Sequence, residues 1–100
     1  LQLAPAESFQ GPFHSLSAAF TPPGLWVEGP TALQVGADTL VYFDAYTKKH
    51  YGAMRSRDLK TWEDVTAQLH FPDEGTPVRM RHGTALEVPA SLVDNLRAAK

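Results

Sequence analysis

The stretch TALQVGADTLVYFDAY, residues 31–46, decides the fold that we expect. Thr31–Val35 and Thr39–Tyr46 are dense in β-branched and aromatic residues, which is typical of strands. Residues 36–38, Gly-Ala-Asp, separate the two runs and are typical of a tight turn. The stretch therefore predicts a β-hairpin.

The second strand of this hairpin carries large side chains on both faces. Alternation along the strand sends Val41 and Phe43 to one face and Leu40 and Tyr42 to the other. Because neither face is suited to water, we expect a further layer on each side of the sheet. A blade of a β-propeller has such layers in its two neighbouring blades.

Outward from the hairpin, two more strands are predicted at Tyr51–Ser56 and Thr61–Thr66, each after a short polar turn. Short connections favour an antiparallel meander of four strands. Gln68–Val78 is predicted to be a loop, and Thr84–Val88 a fifth strand.

The two ends of the chain are less regular. Phe9–Leu16 resembles the end of a short strand, and Phe20–Leu25 is a proline-containing connection that is not helical. A short helix is predicted over Ser91–Ala99, with Ser91 as N-cap and Asp94 at the capping-box position. The predicted fold class is all-β with a short C-terminal helix.

Composition limits the partners and the chemistry. The chain has 100 residues, a single-domain length, with Pro 8 and Gly 7 indicating many turns. A net charge of -2 without charged blocks makes nucleic acid an unsuitable partner. The absence of Cys removes disulfides and thiolate chemistry but does not decide the compartment.

The apolar stretches are broken every few residues by Pro, Gly or a charge, so no membrane span and a soluble protein are predicted. The first residue is Leu1, and the residues after it lack the features of a signal peptide. We therefore expect that a leader was removed or that the chain begins inside a longer gene product.

Two strand entrances carry polar groups. Glu28 in Trp-Val-Glu-Gly-Pro-Thr precedes the hairpin, and Arg81 and His82 in Arg-His-Gly-Thr precede the predicted fifth strand. A carboxylate at a strand entrance can act on a substrate, but spacing alone equally allows a solvated turn glutamate. A lone histidine is also more often structural than functional. For His14, His50 and His70 surface or loop roles are expected.

Several motifs, read in order, resemble the C-terminal third of glycoside hydrolase family 43, which has a five-bladed β-propeller. The resemblance covers Trp26–Val88. Its motifs are Glu28-Gly29-Pro30, Tyr42-Phe43-Asp44-Ala45-Tyr46, Tyr51-Gly52-Ala53, Ser56-Arg57-Asp58-Leu59-Lys60-Thr61-Trp62 and Arg81-His82-Gly83-Thr84.

The resemblance implies roles for four residues. Glu28 matches the general acid of an inverting hydrolysis, whose base and second aspartate lie on earlier blades of the family. His82 and Arg81 are expected to contact substrate, with a central calcium ion as another role for His82. Trp26 is expected either to stack on a sugar ring or to pack between blades.

The residues themselves predict no metal cluster, because no two histidines lie at i and i+4 and no Cys is present. No other cofactor is expected. Asp44 and Tyr46 lie where the second strand returns towards the edge at which Glu28 enters. Trp62 with Leu59 is expected to anchor the outer strand, and Asp58 to bond to amides of its own turn.

The resemblance also implies an incomplete ring. Residues 1–25 would end one blade, 26–66 would form a complete blade, 67–90 would begin the next, and 91–100 would be the C-terminal helix. Inversion needs two carboxylates about 6.5–9.5 Å apart, so one acid is insufficient. We expect the isolated chain to be inactive until a longer chain or a homo-oligomer supplies further blades.

The predicted function is hydrolysis of arabinofuranosyl or xylosyl linkages in oligosaccharides derived from plant polysaccharides. A different class is also consistent with the sequence, namely a non-catalytic carbohydrate-binding or ring-closing module that self-assembles. A propeller of another sugar-active family is a third alternative.

Overall fold

The protein is mostly strands, arranged as one four-stranded antiparallel sheet with a short C-terminal helix. This is seen in a computed structural model that describes residues 1–70 and 80–99. The strands are β1 (Glu28–Val35), β2 (Asp38–Ala45), β3 (His50–Ser56) and β4 (Glu63–Asp64), and the helix is α1 (Ala90–Ala98).

The strands follow one another across the sheet in chain order, β1-β2-β3-β4, which confirms the predicted antiparallel meander. The sheet is open, with β1 and β4 at its two edges. β1 and β2 pair from Glu28↔Asp44 to Val35↔Asp38, with an irregularity between Glu28 and Thr31. β2 and β3 pair without a break from Thr39↔Ser56 to Ala45↔His50.

The core lies on one face of β2 and β3. Phe43, Ala45 and Met54 are buried there, and partly buried apolar residues from the first part of the chain pack against them: Leu1, Phe20, Leu25 and Val27. Gly52 lies opposite Phe43, where a β-carbon would come within 2.8 Å of the phenyl ring. Glycine at this position therefore makes room for the ring.

The N-terminal residues form an irregular ribbon over that core. The amides of His14, Ser17 and Phe20 donate to carbonyls of Pro5, Leu3 and Leu1 at 2.8, 2.8 and 3.0 Å. The Phe20 ring stacks on Trp62, with centroids 4.2 Å apart. The strand end predicted over Phe9–Leu16 is reduced to a single bridge between Ala6 and Phe13.

The turn between β3 and β4 is built on polar side chains, as predicted for Asp58. Asp58 Oδ1 accepts from the amides of Lys60 and Thr61 at 2.8 Å, and these bonds lower the pKa of its carboxyl. Ser56 Oγ accepts from the amide of Leu59 at 2.9 Å, and Leu59 has a left-handed φ of 60°. The side chains thus hold a conformation that a leucine does not prefer.

Two predicted strands differ from the structure. The fourth strand, predicted over Thr61–Thr66, is only Glu63–Asp64, and Thr84–Val88, predicted as the fifth, forms no strand with the described residues. A strand needs a neighbour for its backbone bonds, and the amide of Ala85 instead donates to Thr31 Oγ1 at 3.0 Å. The loop predicted over Gln68–Val78 lies largely outside the described residues.

The helix prediction was wrong about its start. α1 begins at Ala90, Pro89 occupies the N-cap, and Ser91 lies inside the first turn. No side-chain cap bond is present in this helix, so Ser91 and Asp94 do not form the predicted capping box. The Pro89 carbonyl accepts from the Leu92 amide at 2.9 Å, which closes the first turn without a polar cap. Among the described residues, no helix has the length and apolar content to cross a membrane.

Candidate active site

The candidate site lies where β1 begins and β2 ends. Glu28 is the first residue of β1, and its Cα partner across the sheet is Asp44, one residue before the end of β2. The two strands place both carboxylates at the same edge of the sheet. The irregular pairing after Glu28 begins at Gly29, whose φ of 59° is open to glycine and strained for other residues.

Asp44 is fully buried at 0% exposure, and Arg81 provides its countercharge. Arg81 Nε donates to Asp44 Oδ2 at 2.5 Å, although the two residues are 37 positions apart in the chain. The Arg81 side chain is 53% exposed, so the ion pair joins a buried anion to a cation at the surface. A carboxylate buried in this way needs a partner that also makes a hydrogen bond.

Glu28 is half-exposed, and Arg81 and His82 both approach one of its oxygens. His82 Nε2 lies 3.1 Å and Arg81 Nη2 lies 3.3 Å from Glu28 Oε1. His82 Nε2 is also 3.6 Å from Asp44 Oδ2. Glu28, Asp44, Arg81 and His82 therefore form one cluster, which we call the acid cluster.

Gly29 forms the surface on which the His82 ring lies. A β-carbon at Gly29 would lie 2.6 Å from His82 Cγ and 2.7 Å from Cδ2, which are distances that real side chains do not reach. Glycine is thus required here twice, for its positive φ and for the close approach of the imidazole. Because Gly29 follows Glu28 directly in the chain, the residue that contacts the His82 ring is next to the proposed site carboxylate.

The acid cluster contains the atoms of a possible metal site. One oxygen each from Glu28 and Asp44 and a ring nitrogen of His82 lie within 4.8 Å of one another. The sequence offered no metal spacing, because these ligands come from three distant segments. However, Arg81 Nε already bonds to Asp44 Oδ2, so a metal ion would compete with the guanidinium for that carboxylate. The arrangement as it stands is that of a carboxylate pair held by an arginine.

A small cavity of about 180 Å³ lies on the same side of the sheet and is lined by Thr31, Tyr42, Tyr51, Met80, Gly83, Thr84 and Ala85. It is smaller than the roughly 300 Å³ at which most small-molecule sites begin. Burial, together with the nearby charge of Asp44, raises the pKa of Tyr51. The tyrosine is therefore held in its neutral form beside the acid cluster.

Of the four site residues predicted from sequence, the structure brings three together: Glu28, Arg81 and His82. Trp26 lies two residues before Glu28 with 68% of its surface exposed. Within residues 1–70 and 80–99, no hydrogen bond or ring contact joins Trp26 to the acid cluster. Tyr46, expected near the same edge, begins a 3-10 turn after β2.

Asp44 is the residue whose importance the sequence understated. Its position in the hairpin indicated proximity to Glu28, but not its complete burial or its pairing with Arg81. The available signal was a charged residue inside an otherwise apolar strand, between Phe43 and Ala45. Such a residue needs a partner from another part of the chain.

Comparison with known proteins identifies no relative. No family model matches the chain, and no curated protein or solved structure is significantly similar to it. The assignment of a function therefore depends on the motifs and on the geometry of the acid cluster.

Proposed function

We propose that this chain supplies the general acid of an inverting glycoside hydrolase that acts on α-L-arabinofuranosyl or β-D-xylosyl linkages. Glu28 is the proposed acid, and the four-stranded sheet is one blade of a circular propeller. The observation that carries the proposal is the acid cluster itself, a half-exposed carboxylate at a strand entrance held by Arg81 and His82.

The geometry of Glu28 leaves one of its carboxyl oxygens for a substrate. Among the described residues, its two contacts fall on Oε1, so Oε2 is the oxygen that we assign to the leaving group. Its side chain is 45% exposed, enough for a substrate to reach it. A general acid must lie within hydrogen-bond reach of the atom it protonates, and its position must be held before substrate arrives.

Asp44 does not suit the role of the catalytic base. An inverting pair leaves about 6.5–9.5 Å between its carboxyl groups for the attacking water. Asp44 lies closer to Glu28 than this, is fully buried, and is paired with Arg81. We therefore propose that the base comes from another blade, supplied by a longer chain or by other copies, and that the chain alone does not turn over substrate.

Two further observations support the blade assignment. The sheet is open at β1 and β4, and β2 buries Phe43 on one face and Asp44 on the other. A strand buried on both faces belongs to a layered structure, as a blade does within a ring.

The proposed substrates are arabinosyl or xylosyl oligosaccharides. Arg81 and His82 are half-exposed beside Glu28 and carry nitrogen atoms that can bond to sugar hydroxyls. The exposed indole of Trp26 offers an apolar surface for a sugar ring near the acid.

The test compares leaving groups in the complete protein, meaning this chain with every polypeptide that it assembles with. In Glu28→Gln, hydrolysis of 4-methylumbelliferyl arabinofuranoside or xyloside should fall about 10²- to 10⁴-fold, because this leaving group needs protonation. Hydrolysis of the 2,4-dinitrophenyl glycoside should change little, because this leaving group departs without an acid.

The matched control is Glu87→Gln, which removes an exposed carboxylate outside the acid cluster. It should leave both rates unchanged. Equal rates for Glu28→Gln and the unmodified protein on both substrates would exclude Glu28 as the acid.

A non-catalytic carbohydrate-binding module is the second candidate, favoured by the exposed Trp26 and by the unsuitability of Asp44 as a base. Calorimetric titration with arabino- and xylo-oligosaccharides would then show binding that Trp26→Ala abolishes, while the complete protein shows no hydrolysis. Light scattering distinguishes a self-assembled ring of copies from a monomer.

A further inference from the structure

We propose that Asp44 is a positioning residue for Glu28 and acts through Arg81. The inference rests on the proposed role of Glu28 as the acid. It adds a residue that the motifs place only near the site, and it gives that residue a defined task.

Burial makes Asp44 the fixed member of the acid cluster. Its carboxylate is 0% exposed and lies on a strand that is paired on both sides, with Glu28 opposite on β1 and Tyr51 opposite on β3. Glu28 and Arg81 are each about half-exposed. A side chain at the surface loses rotamer entropy when it is held in one position, so a rigid partner is needed to hold it.

Arg81 links the fixed Asp44 to Glu28, because its guanidinium is planar and its nitrogen atoms keep a fixed geometry relative to one another. Nε donates to Asp44 Oδ2 at 2.5 Å, which sets the position and plane of the group. The same group then presents Nη2 to Glu28 Oε1 at 3.3 Å. One guanidinium thus joins the buried carboxylate to the exposed one through two different nitrogen atoms.

His82 is a second residue that lies between the same two carboxylates. Its Nε2 lies 3.1 Å from Glu28 Oε1 and 3.6 Å from Asp44 Oδ2. The His82 ring packs against Gly29, so the backbone at Gly29 limits the position of the ring. Arg81 and His82, which both approach Glu28 Oε1, therefore also lie beside Asp44 Oδ2, and the removal of the Asp44 charge should loosen both.

A purely structural role for Asp44 gives a different expectation. Buried ion pairs are weak evidence for stability, because the cost of desolvation offsets the attraction. If Asp44 only stabilised the fold, Asp44→Asn would lower the rates on all substrates equally. A positioning role predicts loss only where a proton must be delivered.

The first experiment tests the connection in the chain itself. In a ¹H–¹⁵N spectrum the Arg81 Nε–H signal should be protected from exchange with water, because it bonds to a buried carboxylate. In Asp44→Asn the exchange should accelerate at least tenfold, and in Glu28→Gln it should remain slow. Fast exchange of this signal in the unmodified chain would overturn the inference.

The second experiment measures kcat in the complete protein. Asp44→Asn and Arg81→Gln should each lower turnover of the 4-methylumbelliferyl glycoside by roughly ten- to hundredfold, the effect of displacing a catalytic group by about 1 Å. Turnover of the 2,4-dinitrophenyl glycoside by Asp44→Asn should stay within about twofold, which also shows that this variant is folded. If Asp44→Asn does not fold, the exchange rate of the Arg81 Nε–H signal in the unmodified chain decides the result.

The same substitution of Asp44 in a Glu28→Gln background separates the two proposals. There, Asp44→Asn should cause no further loss, since the group that it positions is gone. A further loss of tenfold or more would overturn the positioning role and leave Glu28 as the acid. No loss from Glu28→Gln itself would instead refute the proposed function. Arg57→Gln removes an arginine from the exposed pair with Asp38 and serves as the matched control.

Discussion

The two ends of β2 each carry an aspartate that binds an arginine, and the two pairs differ in burial. At the end near Glu28, Asp44 is 0% exposed and binds Arg81, while at the other end Asp38 is 26% exposed and binds Arg57 at 3.0 Å. Arg57 itself is 77% exposed. In both pairs an arginine Nε contacts an aspartate oxygen, and the aspartates differ in burial.

The comparison shows what a buried aspartate adds to a strand. The Asp38–Arg57 pair is screened by water, and either partner can be solvated when the other is removed. Asp44 is withdrawn from water, so it depends on protein partners such as Arg81, whose guanidinium it fixes beside Glu28. The Asp38–Arg57 pair lies on the surface of the sheet, whereas the Asp44–Arg81 pair holds the residues of the acid cluster together.

The largest expected effect comes from breaking the buried pair. Arg81→Ala should lower the free energy of unfolding by about 3 kcal/mol, because it removes the countercharge of a buried carboxylate. Arg57→Ala should lower it by less than about 1 kcal/mol. Urea denaturation followed by circular dichroism measures both values. Equal losses for the two variants would mean that the burial of Asp44 has no energetic consequence.

The glycines at the two ends of β1 sharpen the comparison. Gly29 and Gly36 have nearly the same φ, 59° and 60°, but a β-carbon at Gly36 meets nothing within 4 Å. Gly36→Ala should cost about 1 kcal/mol from backbone strain alone, and Gly29→Ala about twice that, because the His82 ring must move.

Thermal unfolding gives the two values for these glycine variants, and the imidazole signals of His82 report the movement. These signals should shift in Gly29→Ala and stay in place in Gly36→Ala. If His82 were unaffected by Gly29→Ala, the contact between its ring and Gly29 would be excluded.

The smallest expected effect is a dependence on alkaline pH at the acid cluster end of the sheet. The pKa of Tyr51 is raised above the ordinary 10.0 by burial and by the charge of Asp44. Below pH 10 this contribution to stability is fully present, and it is lost as the pH rises through the folded-state pKa, because the unfolded chain ionises first.

Urea midpoints measured between pH 8 and 11 should therefore fall more steeply for the unmodified protein than for Tyr51→Phe. Tyr46→Phe, which alters a half-buried turn residue of the same type, should retain the steep fall. Identical pH profiles for Tyr51→Phe and the unmodified protein would contradict this linkage.

The alternation of side chains and the turn residues predicted the strands well where neighbouring strands are also adjacent in the chain. Residues 31–46 indicated the β1–β2 hairpin, and Tyr51–Ser56 indicated β3, because alternation and turn residues are properties of neighbouring positions. Thr84–Val88 has strand composition but pairs with no described strand, and composition does not report whether a neighbour exists.

For the acid cluster, too, the sequence indicated local features but not contacts between distant segments. Glu28, Arg81 and His82 were indicated by motifs, since each motif lies in one short segment. The contact of Arg81 with Asp44 joins positions 37 residues apart, and that of Arg81 with Glu28 joins positions 53 apart. Contacts of this range depend on how the segments pack, which no periodicity in the sequence records.

The aspartate near the end of β2 also restricts how the hairpin can assemble. If β2 slipped along β1 by two residues, the same apolar side chains would still face the core, but Asp44 would leave Arg81 and remain buried without its countercharge. A shifted register of the two strands is therefore less stable. Asp44, which orients Glu28, thus also favours the register that places Glu28 beside it.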